Sequence, residues 1–457
     1  MVFSSSTFLF LFFPIVLYIY VLLPFKYKNA WLLSASLVFY YWGEQNYTLV
    51  MISSIVLNYI AARLIGQKGK FTNVILLGTI AANLAILVFF KYTGFLLTNL
   101  NEIVNVPPRL LNYSLKIPLV AGISFYTFQA ISYLFDVKNG LKPKKDITIV
   151  ALYISMFPQL IAGPIVRYSD VEAQLTTRWT SLDKFIMGIE RFIVGLAKKV
   201  LIADTIASIV DPIFSVNPAT LSPTYAWIGI VGYAIQIYFD FSGYSDMAIG
   251  LGHMFGFTFL ENFNYPYISK TVTEFWRRWH ISLSSWFRDY LYIPLGGNRK
   301  GIVRTYINLL TVFILCGLWH GASWNFLVWG LWHGGFLVIE KMGLLKILEK
   351  TPKVVRHIYT MLVVLIGWVF FRAETLTDAI QYIKALFTIK TSTQFFYLSS
   401  EIYLALILGV LFSTPIIHYF NAKAPFILKY AVLLVTFFIT IIYVASSTYS
   451  PFIYYRF

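Results

Sequence analysis

The residues best placed to do chemistry are two histidines in apolar surroundings, His320 and His333. His320 closes an apolar run and has Gly317 and Gly321 beside it. Glycine permits close backbone approach or an unwound turn. A histidine in this position can accept a proton near neutral pH and act as a general base. Histidines in apolar helices are nevertheless more often structural, so residue type alone leaves both interpretations open.

His333 repeats this local setting, because Leu-Trp-His-Gly occurs at 318–321 and again at 331–334. On one continuous helix, a separation of thirteen residues advances the chain by about 20 Å and turns it by about 220° beyond whole turns. The two rings would then not reach a common centre. We therefore predict that at most one of them takes part in a reaction, and spacing alone does not select which.

A second block, residues 276–290, mixes cations with tryptophans and continues to a turn at 294–300. One interpretation is an interfacial helix whose cations meet lipid phosphates. In the other, the cations bind an anionic acyl carrier, since guanidinium groups suit phosphate and the turn supplies backbone amides. The residues at issue are Arg277, Arg278, Arg288, Arg299 and Lys300.

These groups belong to a chain whose composition is that of a membrane protein. Apolar residues form 58% of the chain and charged residues 12%, whereas soluble domains are about 25% charged. Apolar runs of roughly bilayer-crossing length recur throughout, which predicts an all-α polytopic protein with about 11 to 13 spans. The candidate spans are 3–24, 30–43, 47–65, 71–90, 117–135, 147–166, 185–207, 225–240, 302–318, 323–341, 355–371, 402–420 and 427–447.

Segment 240–304 is too rich in ionisable residues to face lipid, which favours re-entrant or interfacial helices there. No hydrophilic segment is long enough for a separate soluble domain. The sequence therefore predicts one transmembrane domain over 1–457. Its parts are N-terminal helices (1–116), a catalytic core (117–341), and C-terminal helices with a terminal aromatic motif (342–457).

The formal charge of the chain is +16, and the basic residues that produce it lie between the apolar runs. Membrane proteins that keep their cations on the cytoplasmic side have this pattern. Anionic membrane lipids are the expected partners of this charge, and nucleic acid is not. Cys316 is the single cysteine, which excludes an intramolecular disulfide and a cysteine metal cage. We expect no metal site.

Five motifs in a fixed order carry a family resemblance: residues 157–165 (FPQLIAGPI), 240–246 (DFSGYSD), 276–290 (WRRWHISLSSWFRDY), 317–321 (GLWHG) and 371–374 (FRAE). Together they resemble a bacterial membrane-bound O-acyltransferase of the alginate O-acetyltransferase type. The resemblance covers essentially the whole chain.

This resemblance implies a many-helix core in which a funnel from each membrane face reaches an essential histidine. By motif, that residue is His320, and the second family histidine is His280. The terminal residues 452–457 resemble an aromatic motif in which a tyrosine transiently carries the acyl group, which implies Tyr454 for that role. An aromatic belt after the last span would give the same pattern.

The implied activity takes an acyl group from a cytoplasmic thioester, with acetyl-CoA as the simplest donor and no bound cofactor. The acyl group then crosses the bacterial cytoplasmic membrane to an extracytoplasmic hydroxyl, for O-acetylation of a cell-surface or exported polysaccharide. His320 would be the general base. Without a soluble domain of its own, the chain is expected to need an extracytoplasmic acetyltransferase or esterase-like partner.

Two alternatives stay open at this point. A D-alanyl transferase for teichoic acids would take its acyl group from a carrier-protein thioester. A transporter or flippase would explain Asp240, Asp246 and His320 as residues of a translocation path, but it would not explain the ordered motifs.

Overall fold

The computed structural model describes residues 1–160, 163–388, 394–416 and 425–446. Within these ranges the regular secondary structure is helical, and no strand is present. The predicted all-α class is therefore confirmed.

Twenty-one helices of the described ranges are labelled here in chain order. They are α1 (Phe13–Leu22), α2 (Phe25–Glu44), α3 (Thr48–Ile65), α4 (Thr72–Asn101), α5 (Pro108–Leu115), α6 (Ile123–Lys138), α7 (Ile147–Ser155), α8 (Phe157–Leu160), α9 (Tyr168–Thr176), α10 (Leu182–Ala197), α11 (Thr205–Ser215), α12 (Pro223–Met254), α13 (Val272–Arg278), α14 (Ile281–Phe287), α15 (Ile302–His320), α16 (Trp324–Ile339), α17 (Leu345–Glu349), α18 (Lys353–Arg372), α19 (Leu376–Phe387), α20 (Ser400–Phe412) and α21 (Phe426–Ser446). Turns of π-helix precede α1 and follow α10, α14 and α16.

Five stretches of helix among the described residues are long and apolar enough to cross a membrane: Phe25–Ile65, Thr72–Asn101, Ile302–His320, Lys353–Arg372 and Phe426–Ser446. The predicted figure of about 11 to 13 spans also counts shorter helices. Two of these, α6 and α16, have 16 residues each. The spans predicted at 30–43 and 47–65 form α2 and α3, with a 3₁₀ turn at Gln45–Tyr47 between them.

The span predicted at 71–90 forms α4, which continues to Asn101, and the predicted end of the span at 225–240 was also wrong. The span expected at 225–240 continues as α12 to Met254, so the ionisable segment 240–304 begins inside a helix. The helix can continue because its carboxylates are paired: Asp240 lies 2.7 Å from Lys199 Nζ, and Asp246 lies 2.6 Å from Lys198 Nζ. Paired charges can be buried at membrane depth, whereas isolated ones are costly. The short helices α13 and α14 are confined to the second part of the segment.

By internal contacts the chain divides into two compact units, residues 1–192 with 247–260 and residues 193–246 with 261–457. In the first unit, reciprocal side-chain amides join α3 to α4. Asn58 Nδ2 donates to Asn83 Oδ1 at 2.9 Å, and Asn83 Nδ2 donates to Asn58 Oδ1 at 3.0 Å. Polar pairs of this kind hold helices together where the surroundings are apolar.

The second unit contains the motif histidines and is built on a helical hairpin. Helices α15 and α16 are joined by three residues, 321–323, and pack closely along their length. Helix α18 packs against α16, and α13 contacts both of them. The start of α13 is held by the buried carboxylate of Glu340, which accepts the backbone N–H groups of Val272 at 2.6 Å and Thr273 at 2.9 Å. A carboxylate at a helix N-terminus satisfies donors that lack intrahelical partners.

Candidate active site

The glycines beside His320 allow the α15–α16 hairpin to close. A Cβ added at Gly317 would collide with the backbone carbonyl of Phe326, and one added at Gly321 would collide with the Phe326 ring. Gly321 is extended, with φ −163°, so α15 ends at His320 itself. The close backbone approach expected from these glycines is present, and it places His320 at the tip of a membrane-spanning helix.

The His320 ring lies in a pocket of aromatic side chains. Its centroid is 5.0 Å from that of Trp329 on α16 and 5.1 Å from that of Phe371 on α18. Trp319, the preceding residue, contributes a third ring at 4.9 Å. The residue keeps 4% of its surface exposed. In this water-poor setting, a charge that develops on the imidazole interacts more strongly with its neighbours than it would in water.

His333 lies on α16, so the premise of one continuous helix was wrong. The hairpin turns the chain between the two histidines and brings both rings against the same indole: Trp329 is 5.0 Å from His320 and 5.1 Å from His333. The His333 side chain is fully buried and tightly packed, since a Cβ at Gly367 would collide with its Nε2 atom. Packing of this kind fits a structural residue.

His280 reaches the same cluster from a different direction. It precedes α14 with a left-handed backbone (φ 45°, ψ 54°), a strained conformation for a residue with a Cβ. Its ring lies 4.6 Å from Phe241 of the 240–246 motif and 6.3 Å from Trp319. His280 and His320, the two histidines implied by the motifs, therefore both lie near the indole of Trp319.

Asn262 fixes the tautomer of His280. The Asn262 Oδ1 atom accepts the backbone N–H of Ser282 at 3.2 Å and the Ser282 hydroxyl at 2.9 Å. The same oxygen lies 3.1 Å from His280 Nδ1, and because it only accepts, Nδ1 must carry the hydrogen. Burial lowers the pKa of His280 to about 3. His280 is therefore neutral, and its Nε2 atom carries a lone pair.

The five predicted donor-binding cations differ in their surroundings. Arg278 pairs with Glu274 at 3.0 Å, and Arg288 pairs with Asp289 at 2.7 Å. The other three are exposed and form no ion pair with any described residue: Arg277, Arg299 and Lys300. The last two follow a turn in which Gly296 and Gly297 have positive φ angles of 109° and 53°. Tyr454, the predicted acyl carrier, lies outside the described residues.

The sequence profile of the membrane-bound O-acyltransferase family matches residues 146–376, just over half of the chain. The chain belongs to this family. The matched region contains His280, His320 and the aromatic side chains around them. The family makes the chain a multi-pass membrane protein and an O-acyltransferase.

Three relatives show the range of this resemblance. The chain is 45% identical over 396 residues to a probable alginate O-acetylase of Azotobacter vinelandii, covering 85% of this chain and 78% of the relative. It is 36% identical over 425 residues to a peptidoglycan O-acetyltransferase of Helicobacter pylori, covering 84% and 80%. It is 30% identical over 223 residues to a teichoic acid D-alanyltransferase of Bacillus subtilis, covering 45% and 55%.

Three residues that contact His280 or His320 could not be identified from the sequence: Asn262, Trp329 and Phe371. Phe371 was noted only as part of a motif, and Trp329 lies two residues before the second Leu-Trp-His-Gly, so neither signalled contact with His320. Asn262 is eighteen residues from His280, beyond the reach of any local periodicity.

Proposed function

We propose that this membrane-bound O-acyltransferase moves an acetyl group from a cytoplasmic thioester to an extracytoplasmic hydroxyl during O-acetylation of a polysaccharide at the bacterial cytoplasmic membrane. The observation that carries this proposal is the placement of His320. An imidazole at the tip of a membrane-spanning helix, enclosed by Trp329 and Phe371, can serve a reaction that must exclude water. The extent of identity to the alginate and peptidoglycan O-acetylating relatives supports acetyl as the transferred group.

In the proposed reaction, His320 removes the proton from an incoming hydroxyl, and the oxygen attacks the thioester carbonyl. A carbon–oxygen bond forms, the carbon–sulfur bond breaks, and the proton passes from the imidazolium to the leaving thiolate. A tyrosine hydroxyl, with an ordinary pKa of about 10, requires such a base at neutral pH. Tyr454 or a serine of a partner protein is the proposed first acceptor. The neutral Nε2 atom of His280 would accept a hydrogen bond in the same site.

The proposed donor is acetyl-CoA, bound as a substrate through its phosphates. Arg299 and Lys300 support this assignment, because both are exposed and form no ion pair with a described residue. Arg277 is also exposed, forms no ion pair with a described residue, and is close in sequence to His280. Guanidinium and ammonium groups bind phosphate oxygens by charge-assisted hydrogen bonds.

The proposed final acceptor is a polysaccharide, reached through an extracytoplasmic acetyltransferase or esterase-like partner. The enclosure of His320 supports a partner, since a ring with 4% exposure offers a long polymer no surface on which to dock. A single side-chain hydroxyl needs far less room. If the purified chain alone acetylated a polymer as fast as it did with a partner present, this part of the proposal would be wrong.

The activity is tested by incubating the purified full chain in proteoliposomes with radiolabelled acetyl-CoA. We expect covalent label on Tyr454 or on an added partner, and loss of that label in His320→Ala. Cys316→Ala is the matched control, because Cys316 is buried on the same helix one turn before His320 and should be dispensable. Passage of substrate without acyl transfer would instead support a transporter, and labelling only from a carrier-protein thioester would support D-alanyl transfer.

The limited match to the teichoic acid D-alanyltransferase is the observation behind that second candidate. The match to the D-alanyltransferase covers 45% of this chain, which is about half of the share covered by the match to the alginate O-acetylase of Azotobacter vinelandii. The paired carboxylates also weaken the transporter alternative. Asp240 and Asp246, which a translocation path would use, are bound to Lys199 and Lys198.

A further inference from the structure

A groove of about 520 Å³ lies between helices α12, α18 and α20 of the second unit, and His320 is not among the residues that line it. This volume is within the range of sites that hold small molecules, roughly 300 to 1,000 Å³. Its walls are mainly apolar, and it also takes in Tyr267 and Lys270 from the segment before α13. The proposed acyl transfer makes no use of this groove.

The groove changes from polar to apolar along α18. Four residues of this helix line it at intervals of four positions: Lys353, His357, Met361 and Leu365. Residues four apart lie on one face of a helix, and twelve residues extend for about 18 Å. The groove therefore runs along α18, with a cation and an imidazole beside Val354 at the N-terminal end of the helix and apolar side chains further along. This is the polarity of an amphiphile with a charged head and a hydrocarbon tail.

The charge at the polar end is uncompensated within the described part of the chain. Lys270 and Lys353 both line the groove, and neither forms an ion pair with a described carboxylate. The acidic residue nearest to Lys270 in sequence, Glu274, is already engaged, because it accepts the backbone N–H of Lys270 at 2.9 Å and pairs with Arg278. Glu349, four residues before Lys353, is exposed and forms no ion pair with a described residue. Lys353 also begins α18, where the helix dipole favours an anion.

We propose that this groove binds one anionic glycerophospholipid, with an acyl chain along Met361 and Leu365 and its phosphate beside Lys353 and Lys270. The two lysines favour a headgroup with net negative charge over a zwitterionic one, whose own cation they would repel. Basic pockets between transmembrane helices bind such headgroups. The lipid is an integral ligand of the fold and is separate from the acyl donor and acceptor.

The lipid lies behind the aromatic wall of the His320 pocket. Tyr267, which lines the groove, accepts a hydrogen bond from Trp368 Nε1 at 3.2 Å. The Trp368 ring is 5.6 Å from Phe371, and the Phe371 ring is 5.1 Å from His320. A filled groove thus supports the rings that enclose His320, and an empty one leaves them with fewer packing contacts.

The test uses the full chain, delipidated in detergent and titrated with phosphatidylglycerol or phosphatidylcholine of identical acyl chains. Native mass spectrometry counts retained lipid, and a thermal shift reports its effect on stability. We expect one phosphatidylglycerol to be retained per chain, bound at least about tenfold more tightly than phosphatidylcholine. The double variant Lys270→Ala/Lys353→Ala should lose this preference. Lys346→Ala/Lys384→Ala, which changes two exposed lysines outside the groove, should keep it.

A second variant separates the groove from general surface charge. Met361→Trp fills the apolar end while both lysines remain, and it should lower the retention of phosphatidylglycerol to the level of the double lysine variant. Equal binding of the two lipids by the unaltered chain would overturn the proposal. So would unchanged retention in either Met361→Trp or the double lysine variant. The thermal midpoint of each lipid-free variant shows whether it is folded, so that loss of binding is not confused with unfolding.

Discussion

His320 and His333 lie on separate helices, and each ring packs against the indole of Trp329, at 5.0 and 5.1 Å. Two copies of one tetrapeptide therefore border the same side chain, although thirteen residues separate them in the sequence. Their surroundings differ. His320 is at the turn of the hairpin beside Phe371, and His333 is fully buried against Gly367.

This pair gives a matched test of the general base. His320→Ala and His333→Ala both remove a ring beside Trp329, and each should lower the free energy of unfolding by about 3 kcal/mol through cavity formation. Only His320→Ala should also lower kcat, by about 100-fold or more, because it alone removes the base. Acetyl transfer per folded molecule and thermal unfolding measure the two effects. Full activity in His320→Ala would remove the basis of the mechanism.

The contact between Asn262 and His280 predicts a change in pH dependence. In the native chain the pKa of His280 is lowered to about 3 by burial, so its protonation does not affect activity near neutrality. Asn262→Asp places a carboxylate beside Nδ1, which stabilises the imidazolium and raises that pKa. Activity should then fall as the pH decreases, because protonation removes the lone pair of Nε2. Profiles of kcat/KM between about pH 5 and 8 would show this.

Asn308→Asp is the control for that experiment. Asn308 is also buried in the second unit, but its side chain donates to the carbonyl of Gly297 at 3.0 Å and does not contact His280. It should lose stability without a shift in the pH profile. Identical profiles for Asn262→Asp and the native chain would show that His280 does not act as a hydrogen-bond acceptor in the reaction.

The hairpin predicts opposite effects for two glycine substitutions. Gly317→Ala should destabilise the protein by about 1 to 3 kcal/mol, because the new methyl group meets the carbonyl of Phe326 and forces α15 and α16 apart. Gly335→Ala on α16 has open space around the new methyl and should stabilise by up to about 1 kcal/mol through helix propensity. Thermal unfolding of the two variants checks the prediction. Equal shifts would mean that the two helices do not approach as closely as described.

We predict that the exposed cations affect the binding of the acyl donor and not the rate of the chemical step. Arg299→Ala/Lys300→Ala should raise KM for acetyl-CoA by about tenfold while leaving kcat near its native value, because these side chains are proposed to contact only the donor's phosphates. Arg288→Ala is the control, since that guanidinium is already paired with Asp289 and should matter less. The difference should shrink as ionic strength rises. A loss of kcat alone would place these residues in a different role.

The fold class and the two motif histidines could be predicted from the sequence because both depend on information that is local in the chain. Runs of apolar residues indicate membrane spans, and motifs in a fixed order indicate the family. The partners of those histidines could not be predicted, since Trp329, Phe371 and Asn262 come from separate elements and meet only after the helices pack. The extension of α12 past Asp240 was missed for the same reason. Its charge is balanced by Lys199, which lies on another helix.

The buried cluster of Lys199, Asp204 and Asp240 has a consequence for biogenesis. Lys199 Nζ lies 2.6 Å from Asp204 and 2.7 Å from Asp240, and the π-helical turn at Lys198–Asp204 brings the first two together. A lone ammonium or carboxylate enters hydrocarbon only at a high free-energy cost. The segment bearing Lys199 and the helix bearing Asp240 are therefore expected to leave the insertion machinery together. The segment that is synthesised first should stay within the machinery until the second can pair with it.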